Sequence, residues 1–350
     1  MYLTSIQALR AVAALAVLYL HTNIMLSYNA GYPAETISNA GAAGVDIFFV
    51  ISGFVMLHVH HNQFGSFRLA GAFLLRRAIR IVPLYWTATL LIATGLLVVP
   101  GLFNVLKFDL VTVLKSLLFI PGPGPGGINV LHVAGWSLCI EVLFYLLFTV
   151  ALLFPKKIGM AFIGFALTLL VAAGVVFSVA GTPLEIFMSP LLLEFAAGML
   201  LALAWRRRWL LPAGLAWPVL VLAFLAIGMS GYLLIVQDSL ARVFWWGIPA
   251  VLMVWGAVSL ETEGRLKPPK ILLRIGDSSY SLYLLHILVL PVLAKGWRLT
   301  GWHHHLPQSV ALILFFGVTV AACYIAYRMF ERPLTKALQA RWRTGLPATV

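Results

Sequence analysis

Long apolar runs separated by short polar or basic segments dominate this sequence. About ten such runs can be drawn, each of about 17 to 23 residues, the length that an α-helix needs to cross the hydrocarbon core of a bilayer. They lie at residues 6–26, 41–59, 79–99, 134–154, 159–180, 185–204, 215–235, 242–260, 276–295 and 307–329. The pattern predicts an all-α, polytopic integral membrane protein with about ten transmembrane helices.

Composition supports the same class. Of the 350 residues, 62% are hydrophobic and only 10% are charged, so the chain cannot cover itself with polar surface as a soluble protein does. The two cysteines, Cys139 and Cys323, both fall inside apolar runs. We therefore expect no disulfide framework.

The net charge of +13 is explained by topology rather than by a nucleic-acid partner. If the N-terminus is cytoplasmic, the cytoplasmic loops carry most of the 24 Lys and Arg residues. The opposite loops carry Lys107, Lys115, Arg242, Lys295 and Arg298. The positive-inside rule then predicts that both termini are cytoplasmic and that the basic loops meet anionic membrane lipid. We predict one transmembrane domain at residues 1–335, followed by a basic cytoplasmic tail at 336–350.

Two polar residues interrupt the first apolar run, and their spacing is informative. Between Arg10 and His21 an α-helix turns through about 1100°, within about 20° of three full turns. Both side chains therefore lie on one face of the helix, about 16 Å apart along its axis. Because an ionisable group inside a membrane span is costly, we interpret this face as part of a functional site.

Three ionisable residues on different predicted spans share a similar depth. Counted from the helix ends at about 1.5 Å per residue, His21, Asp46 and Glu141 all lie in the outer third of the membrane. In one hypothesis His21 takes a proton from a hydroxyl while Asp46 or Glu141 fixes the tautomer of the imidazole. In another, His21 attacks an acyl donor and carries the acyl group covalently. The structural alternatives are a histidine bonded to a backbone carbonyl and carboxylates that join neighbouring helices.

Other polar positions allow more than one interpretation. Arg76, Arg77 and Arg80 crowd the start of the third span, and Arg77 and Arg80 share a helix face. They suit either a phosphorylated ligand or contact with lipid headgroups. Glu194 lies mid-span and either lines a pore or bonds a neighbouring helix. The Pro/Gly run at 121–127 is expected to be irregular, either a lip over an external acceptor site or a plain connector. Neither histidine group, at 58–61 or at 303–305, has a carboxylate or thiolate at metal-ligand spacing, so we expect no metal site.

Six motifs, in order along almost the whole chain, resemble the membrane acyltransferase-3 family. They are Arg10 with His21, Gly44 to Phe54, Arg77 to Tyr85, Trp136 to Tyr145, Gly276 to His286, and Glu331 to Pro333. The resemblance implies an enzyme that moves an acyl group, usually acetyl, from cytoplasmic acyl-CoA to a hydroxyl of a carbohydrate acceptor. The short N-terminus is most similar to the exopolysaccharide acetyltransferase branch, which implies an exopolysaccharide or its lipid-linked precursor as acceptor and the bacterial inner membrane as location.

The resemblance also implies roles for individual residues. His21 is the expected catalytic histidine, with Asp46 and Glu141 as its expected partners. Acyl-CoA is expected as a donor substrate rather than a permanently bound cofactor, and its expected contacts are Arg10, Arg77, Arg80, Ser279, Tyr280 and His286. For His286 the alternative is a buried structural role. A transporter or flippase for a lipid-linked sugar remains the competing function, although no matched pair of interrupted helices favours it.

Overall fold

A computed structural model describes residues 3–33, 38–99, 108–124, 127–233 and 239–344. The α-helices are α1 (Thr4–Asn29), α2 (Ala43–His60), α3 (Phe67–Val98), α4 (Leu110–Leu117), α5 (Trp136–Leu153), α6 (Lys156–Val176), α7 (Leu184–Phe187), α8 (Leu192–Arg206), α9 (Ala213–Leu233), α10 (Ser239–Arg242), α11 (Ile248–Thr262), α12 (Lys270–Asp277), α13 (Ser279–Leu299), α14 (Gln308–Ala326) and α15 (Arg332–Thr344). Short 3₁₀ segments lie at Asn39–Ala42, Val133–Gly135 and Trp302–His304, and π-helical segments at Val243–Gly247 and Tyr327–Glu331.

The described residues contain 10 helical stretches long and apolar enough to cross a membrane, which confirms the predicted fold class. Because successive spans alternate in direction and their number is even, both ends of the described chain lie on the same face of the bundle. Most of the described Lys and Arg residues lie in the loops and helix ends of this face, and we call it the basic face. Its cytoplasmic orientation stays a prediction from the charge distribution.

Helix α3 begins at Phe67, well before residue 79, where the apolar run suggested a start. The predicted start was wrong because Arg68, Arg76 and Arg77 interrupt the hydrophobic pattern without interrupting the helix. Ser66 caps the helix, and its hydroxyl accepts a hydrogen bond from the Leu69 amide at 3.3 Å. The basic first turns of α3 therefore extend the helix beyond the membrane core on the basic face.

The Pro/Gly run also differs from expectation. Strands β1 (Gly122–Gly124) and β2 (Gly127–Asn129) form a short antiparallel hairpin in which Pro123 pairs with Ile128. Proline is tolerated there because a two-stranded hairpin consists only of edge strands. The prediction that this run excludes strand structure was wrong for its described residues, and residues 125–126 lie outside them.

The last span runs on without a break from α14 through the π-helical segment into α15. The predicted boundary between residues 335 and 336 therefore falls inside a continuous helix. Residues 345–350 of the predicted tail lie outside the described residues. The division into a membrane domain and a tail stays a prediction about function rather than a visible break in the fold.

Close approach of α2 and α8 holds the centre of the bundle together. A Cβ atom on Gly53 would lie 2.1 Å from the Phe195 carbonyl oxygen, and one on Gly198 would lie 2.1 Å from that of Val50. Only glycine permits backbones to pack at this distance, as small residues do between membrane helices. This packing fixes the position of α2, which carries several residues of the cavity described below.

Replacing Gly53 with Ala is expected to destabilise the fold. The new methyl group forces α2 away from α8, and such overpacking typically costs about 1–3 kcal/mol of unfolding free energy. Thermal unfolding of the protein in detergent measures the effect. Gly164 in α6 provides the matched control, because its Cβ would meet nothing within 4 Å. Equal unfolding midpoints for Gly53→Ala and Gly164→Ala would contradict the proposed close packing.

Candidate active site

A cavity of about 770 Å³, including its open mouth, lies between five helices near the middle of the bundle. Helices α1, α2, α3, α5 and α13 provide its walls. Its polar lining residues are Arg10, Ser52, Arg77, Arg80, Ser137, Glu141, Tyr145, Ser279, Tyr280 and Tyr283. Six residues predicted from the sequence are thus brought together here: Arg10, Arg77, Arg80, Glu141, Ser279 and Tyr280. His21, Asp46 and His286 do not line it.

Three guanidinium groups give the cavity an excess of positive charge. Arg10 donates from Nε to the Ser279 hydroxyl at 3.3 Å. Arg80 lies 3.5 Å from the Glu331 carboxylate. The buried Nε of Arg77 has no hydrogen-bond partner among the described residues. Because Glu141 is the one acidic residue in the cavity lining, the site favours an anionic ligand.

Aromatic rings hold the Arg77 guanidinium in the cavity wall. Its Cζ lies 5.7 Å from the ring centroid of Phe73 and 5.9 Å from that of Tyr145. Cation–π contacts of this kind orient a guanidinium without neutralising it. Arg76, the preceding residue, points elsewhere and places Nη2 3.5 Å from the His60 ring. The helical periodicity thus separates two adjacent arginines into different environments.

Glu141 is fixed at the cavity wall by two hydroxyl groups. Its Oε1 accepts hydrogen bonds from Ser52 at 2.9 Å and from Tyr145 at 2.5 Å. Ser52 and Tyr145 belong to two of the family motifs, but the sequence assigns them no role, because a single hydroxyl on an apolar helix does not indicate a function by itself. The structure shows that they determine the orientation of this carboxylate.

His21 lies against helix α13, beyond the cavity. Its Nδ1 lies 2.9 Å from the Val17 carbonyl oxygen, which can only accept, so Nδ1 carries the proton and Nε2 presents a lone pair. The His286 ring lies 4.8 Å from the His21 ring, centroid to centroid. Because Arg10 also contacts α13, through Ser279, the predicted common face of Arg10 and His21 is confirmed.

The predicted pairing of His21 with a carboxylate is wrong in this structure. Asp46 binds Arg242, and Glu141 binds hydroxyl groups, whereas the Val17 carbonyl orients His21. The predicted common depth is wrong too. Glu141 lines the same cavity as Arg10, which lies about 16 Å along α1 from His21. On α2, Asp46 and the cavity residue Ser52 are separated by about 120° around the helix axis. Asp46 therefore faces away from the cavity.

Arg242 and Asp46 form a buried ion pair. Arg242 donates from Nε to Asp46 at 3.0 Å and from Nη2 at 2.8 Å. The guanidinium lies over the rings of Trp136 and Trp246, 5.4 and 5.1 Å from their centroids. Glu194 is buried beside the pair and interacts electrostatically with both of its members, but neither of its carboxyl oxygens has a hydrogen-bond partner among the described residues.

Sequence reasoning missed the role of Arg242 because it was assigned to a loop. The residue ends α10 and leads directly into the π-helical segment Val243–Gly247, so it enters the bundle instead. Gly247 makes room for the cluster, since a Cβ there would lie 2.7 Å from the Glu194 carboxylate. The position of Arg242 at the start of an apolar run was the available signal.

Three further residues near the cavity were not assigned a role. Glu331 accepts a hydrogen bond from Ser281 at 2.5 Å and faces Arg80. His132 is fully buried and donates from Nε2 to the Leu284 carbonyl at 3.0 Å. Burial lowers the pKa of His132 to about 4, so its imidazole is neutral. Tyr283 lines the cavity, and its ring lies 6.2 Å from that of His286.

His286 was expected in the donor channel, but it lies against His21 instead. It follows Tyr283 by about one helical turn, farther from the basic face. The cavity and the two histidines therefore succeed each other along α13, with Tyr283 between them. Among the residues that the structure describes, no group of three His, Cys, Asp or Glu side chains is placed to hold a metal ion.

Comparison with known proteins identifies the family. The acyltransferase domain of the acyltransferase-3 family matches residues 3–328, which is nearly the whole chain. The chain belongs to the acyltransferase-3 family. Exopolysaccharide production protein ExoZ of Rhizobium meliloti (strain 1021) is 34% identical over 86% of this chain and 92% of its own length. Acyltransferase MdmB of Streptomyces mycarofaciens is 26% identical over 97% of this chain and 93% of its own.

The protein is thus an integral membrane acyltransferase, and the predicted enzyme class is confirmed. No solved structure matches the chain. The competing interpretation as a transporter gains nothing from these comparisons. The arginine-lined cavity and the histidine pair next to it form the candidate active site.

Proposed function

We propose that this acyltransferase moves an acetyl group from acetyl-CoA to a hydroxyl of a carbohydrate, either an exopolysaccharide or its lipid-linked precursor. The similarity to ExoZ, a protein named for exopolysaccharide production, supports this choice of acceptor. The proposal places the protein in the bacterial cytoplasmic membrane with its basic face inside, in accordance with the positive-inside rule. Acetyl-CoA then enters from the basic face and the acceptor from the other side.

The excess of positive charge in the cavity is the observation that carries the proposal. Arg10, Arg77 and Arg80 line it together with a single carboxylate, Glu141. Coenzyme A is polyanionic, and guanidinium groups bind its phosphates with charge-assisted, often bidentate hydrogen bonds. The buried Nε of Arg77 lacks a partner among the described residues and gains one when a phosphate oxygen binds.

His21 is the proposed general base. Its Nε2 takes the proton of the acceptor hydroxyl as the hydroxyl oxygen attacks the thioester carbonyl. The carbon–sulfur bond then breaks, and the imidazolium returns the proton to the departing thiolate. The products are the acetyl ester and coenzyme A with a free thiol. The Val17 carbonyl holds Nδ1–H and so keeps the lone pair on the reactive nitrogen.

The distance between the two parts of the site fits the donor. Arg10 and His21 are about 16 Å apart along α1, comparable with an extended pantetheine arm. A donor anchored by its phosphates at the arginines therefore extends its thioester past Tyr283 toward His21. In this arrangement, Ser279 and Tyr280 line the path of the arm, and Glu331 holds Arg80 in place.

Arg77→Ala is expected to raise the KM for acetyl-CoA by about 10- to 100-fold, because one charge-assisted hydrogen bond contributes about 1.5–3 kcal/mol. Steady-state release of free thiol from acetyl-CoA measures this value. The KM of Arg77→Lys should lie between those of Arg77→Ala and the wild type, since lysine keeps the charge but not the planar set of donors. Arg76→Ala is the matched control, as Arg76 neighbours Arg77 in sequence but does not line the cavity. An equal rise in KM for Arg76→Ala would attribute the effect to surface charge instead.

Purified acyltransferase in lipid nanodiscs tests the function as a whole. We expect it to release thiol from acetyl-CoA when deacetylated exopolysaccharide oligosaccharides are present, and to attach the acetyl group to them as an ester. Mass spectrometry of the oligosaccharides identifies the product. Binding of acetyl-CoA with no transfer to any hydroxyl acceptor, or failure to bind acetyl-CoA at all, would refute the proposed donor and acceptor classes.

A further inference from the structure

The histidine facing His21 is enclosed by protein and presents an unused acceptor nitrogen. His286 is only 1% exposed. Its Nδ1 lies 2.9 Å from the Leu282 carbonyl oxygen and therefore carries the ring proton. Its Nε2 is buried and has no hydrogen-bond partner among the described residues. A buried acceptor without a donor lowers the stability of the fold, so we expect a function of this nitrogen in catalysis.

His21 and His286 are fixed in the same tautomer by the same device. Each donates Nδ1–H to the backbone carbonyl four residues earlier in its own helix, Val17 or Leu282. Each therefore presents an Nε2 lone pair, and two lone pairs cannot bond each other. Once either ring gains a proton, one nitrogen becomes a donor and the other remains an acceptor. The pair can then share a single proton.

The two histidines differ in how exposed they are. His21 is partly exposed, whereas His286 behind it is enclosed. An acceptor hydroxyl can thus reach His21 but not His286. The ring centroids are 4.8 Å apart, so the two imidazoles are direct neighbours.

We propose that His286 is the proton partner of His21, in place of the carboxylate that histidine bases often use. The proton leaves the acceptor hydroxyl for Nε2 of His21 as the new carbon–oxygen bond forms. Nε2 of His286 accepts the resulting N–H hydrogen bond, and the pair shares the charge until the proton passes to the sulfur of the departing coenzyme A. Sharing the proton between two rings reduces the cost of an imidazolium in the apolar interior. His286 is thus a positioning residue that acts through His21.

The first test requires no substrate. Nitrogen NMR of the protein with isotopically labelled histidine, in nanodiscs at neutral pH, reports which ring nitrogen carries a proton. We expect His21 and His286 both to be protonated at Nδ1 and free at Nε2, with the signals assigned from single His→Gln variants. A proton on Nε2 of resting His286 would overturn the proposal, since that nitrogen could not then accept.

The second test is kinetic and rests on the proposed function. His286→Gln keeps the side-chain volume but cannot take up a proton. With acetyl-CoA and deacetylated exopolysaccharide oligosaccharides, we expect kcat to fall by about 10- to 100-fold, within the range of general-base contributions, while the KM for acetyl-CoA changes little. His60→Gln is the matched control. His60 is 1% exposed and its Nδ1 lies 3.0 Å from the Met56 carbonyl oxygen, but the rings beside it are those of Phe73 and Phe148.

A double variant separates the failure of this inference from the failure of the proposed function. If His286 acts only through His21, then His21→Ala with His286→Gln should be no slower than His21→Ala alone, because residues that act as a unit are not additive. Full activity of His21→Ala would refute the catalytic base itself. Loss of activity in His21→Ala, together with wild-type kcat in His286→Gln, would refute only the partnership.

Discussion

Membranes that contain the His21→Ala variant are expected to transfer acetyl groups about 10² to 10⁴-fold more slowly than membranes that contain the wild-type protein. The physical reason is that a neutral hydroxyl attacks a thioester slowly until a base removes its proton. His21 is the partly exposed histidine of the pair, and its tautomer is fixed by Val17. Among the described residues no carboxylate is placed to replace it, since Asp46 binds Arg242 and Glu141 is held by Ser52.

Donor binding supplies the control for this variant. Because His21 does not line the arginine-rich cavity, His21→Ala should bind acetyl-CoA with an affinity close to that of the wild type. Calorimetry of the purified variant measures it. A loss of acetyl-CoA affinity equal to the loss of rate would show that the substitution damages the fold rather than the chemistry.

A labelling experiment with the wild-type protein distinguishes the two routes considered for His21. If the imidazole attacks the donor itself, wild-type protein mixed with radiolabelled acetyl-CoA in the absence of acceptor should retain label after denaturation. If His21 acts as a base, as proposed, the denatured protein should carry no label. Both routes predict an inactive His21→Ala, so the labelling experiment decides between them.

The sequence predicted the faces of single helices better than the contacts between helices. The spacing of Arg10 and His21 correctly placed both side chains on one face, because helical periodicity is a local property. Which helix that face meets is a matter of tertiary packing. Helix α13 contacts both residues, although it is more than 250 positions away in the chain, as the separation of 269 between Arg10 and Ser279 shows. No periodic pattern within one helix contains that information.

Errors arose where depth was counted from estimated helix ends, because the ends of different helices do not lie at one level. Gly44 of α2 packs against Ala13 of α1, so Asp46, two residues farther toward the basic face, lies well below the level of His21. Asp46 also faces α8 and α10 rather than α1. The partner of Asp46, Arg242, was assigned to a loop because its segment is interrupted by short helical and π-helical turns. A carboxylate and a guanidinium that attract each other across helices leave no mark on the local sequence. Contacts of this kind have to be read from the structure.

Removing Arg242 is expected to destabilise the protein more than any other single change considered in the charged cluster. Its side chain is 16% exposed, and that of Asp46 is fully buried. Arg242→Met leaves the carboxyl groups of Asp46 and Glu194 facing each other without a cation, and breaking a buried pair in this way typically costs about 3–5 kcal/mol. The midpoint of thermal unfolding in detergent, and the amount of folded protein recovered from membranes, measure the loss.

Asp46→Asn should lower the unfolding free energy clearly less than Arg242→Met, because Glu194 lies beside Arg242 and can take over as its counter-charge once Asp46 is neutral. The asparagine keeps the shape of the side chain and one acceptor oxygen for the guanidinium. Removing Glu194 as well, in the double variant Asp46→Asn with Glu194→Gln, should raise the cost to that of Arg242→Met, since a buried cation is then unpaired. If Asp46→Asn alone lowers the unfolding midpoint as much as Arg242→Met, Glu194 does not replace the lost charge, and the cluster is a simple ion pair of Asp46 and Arg242. The order of the three variants therefore shows whether one arginine balances two carboxyl groups in the interior of this acyltransferase.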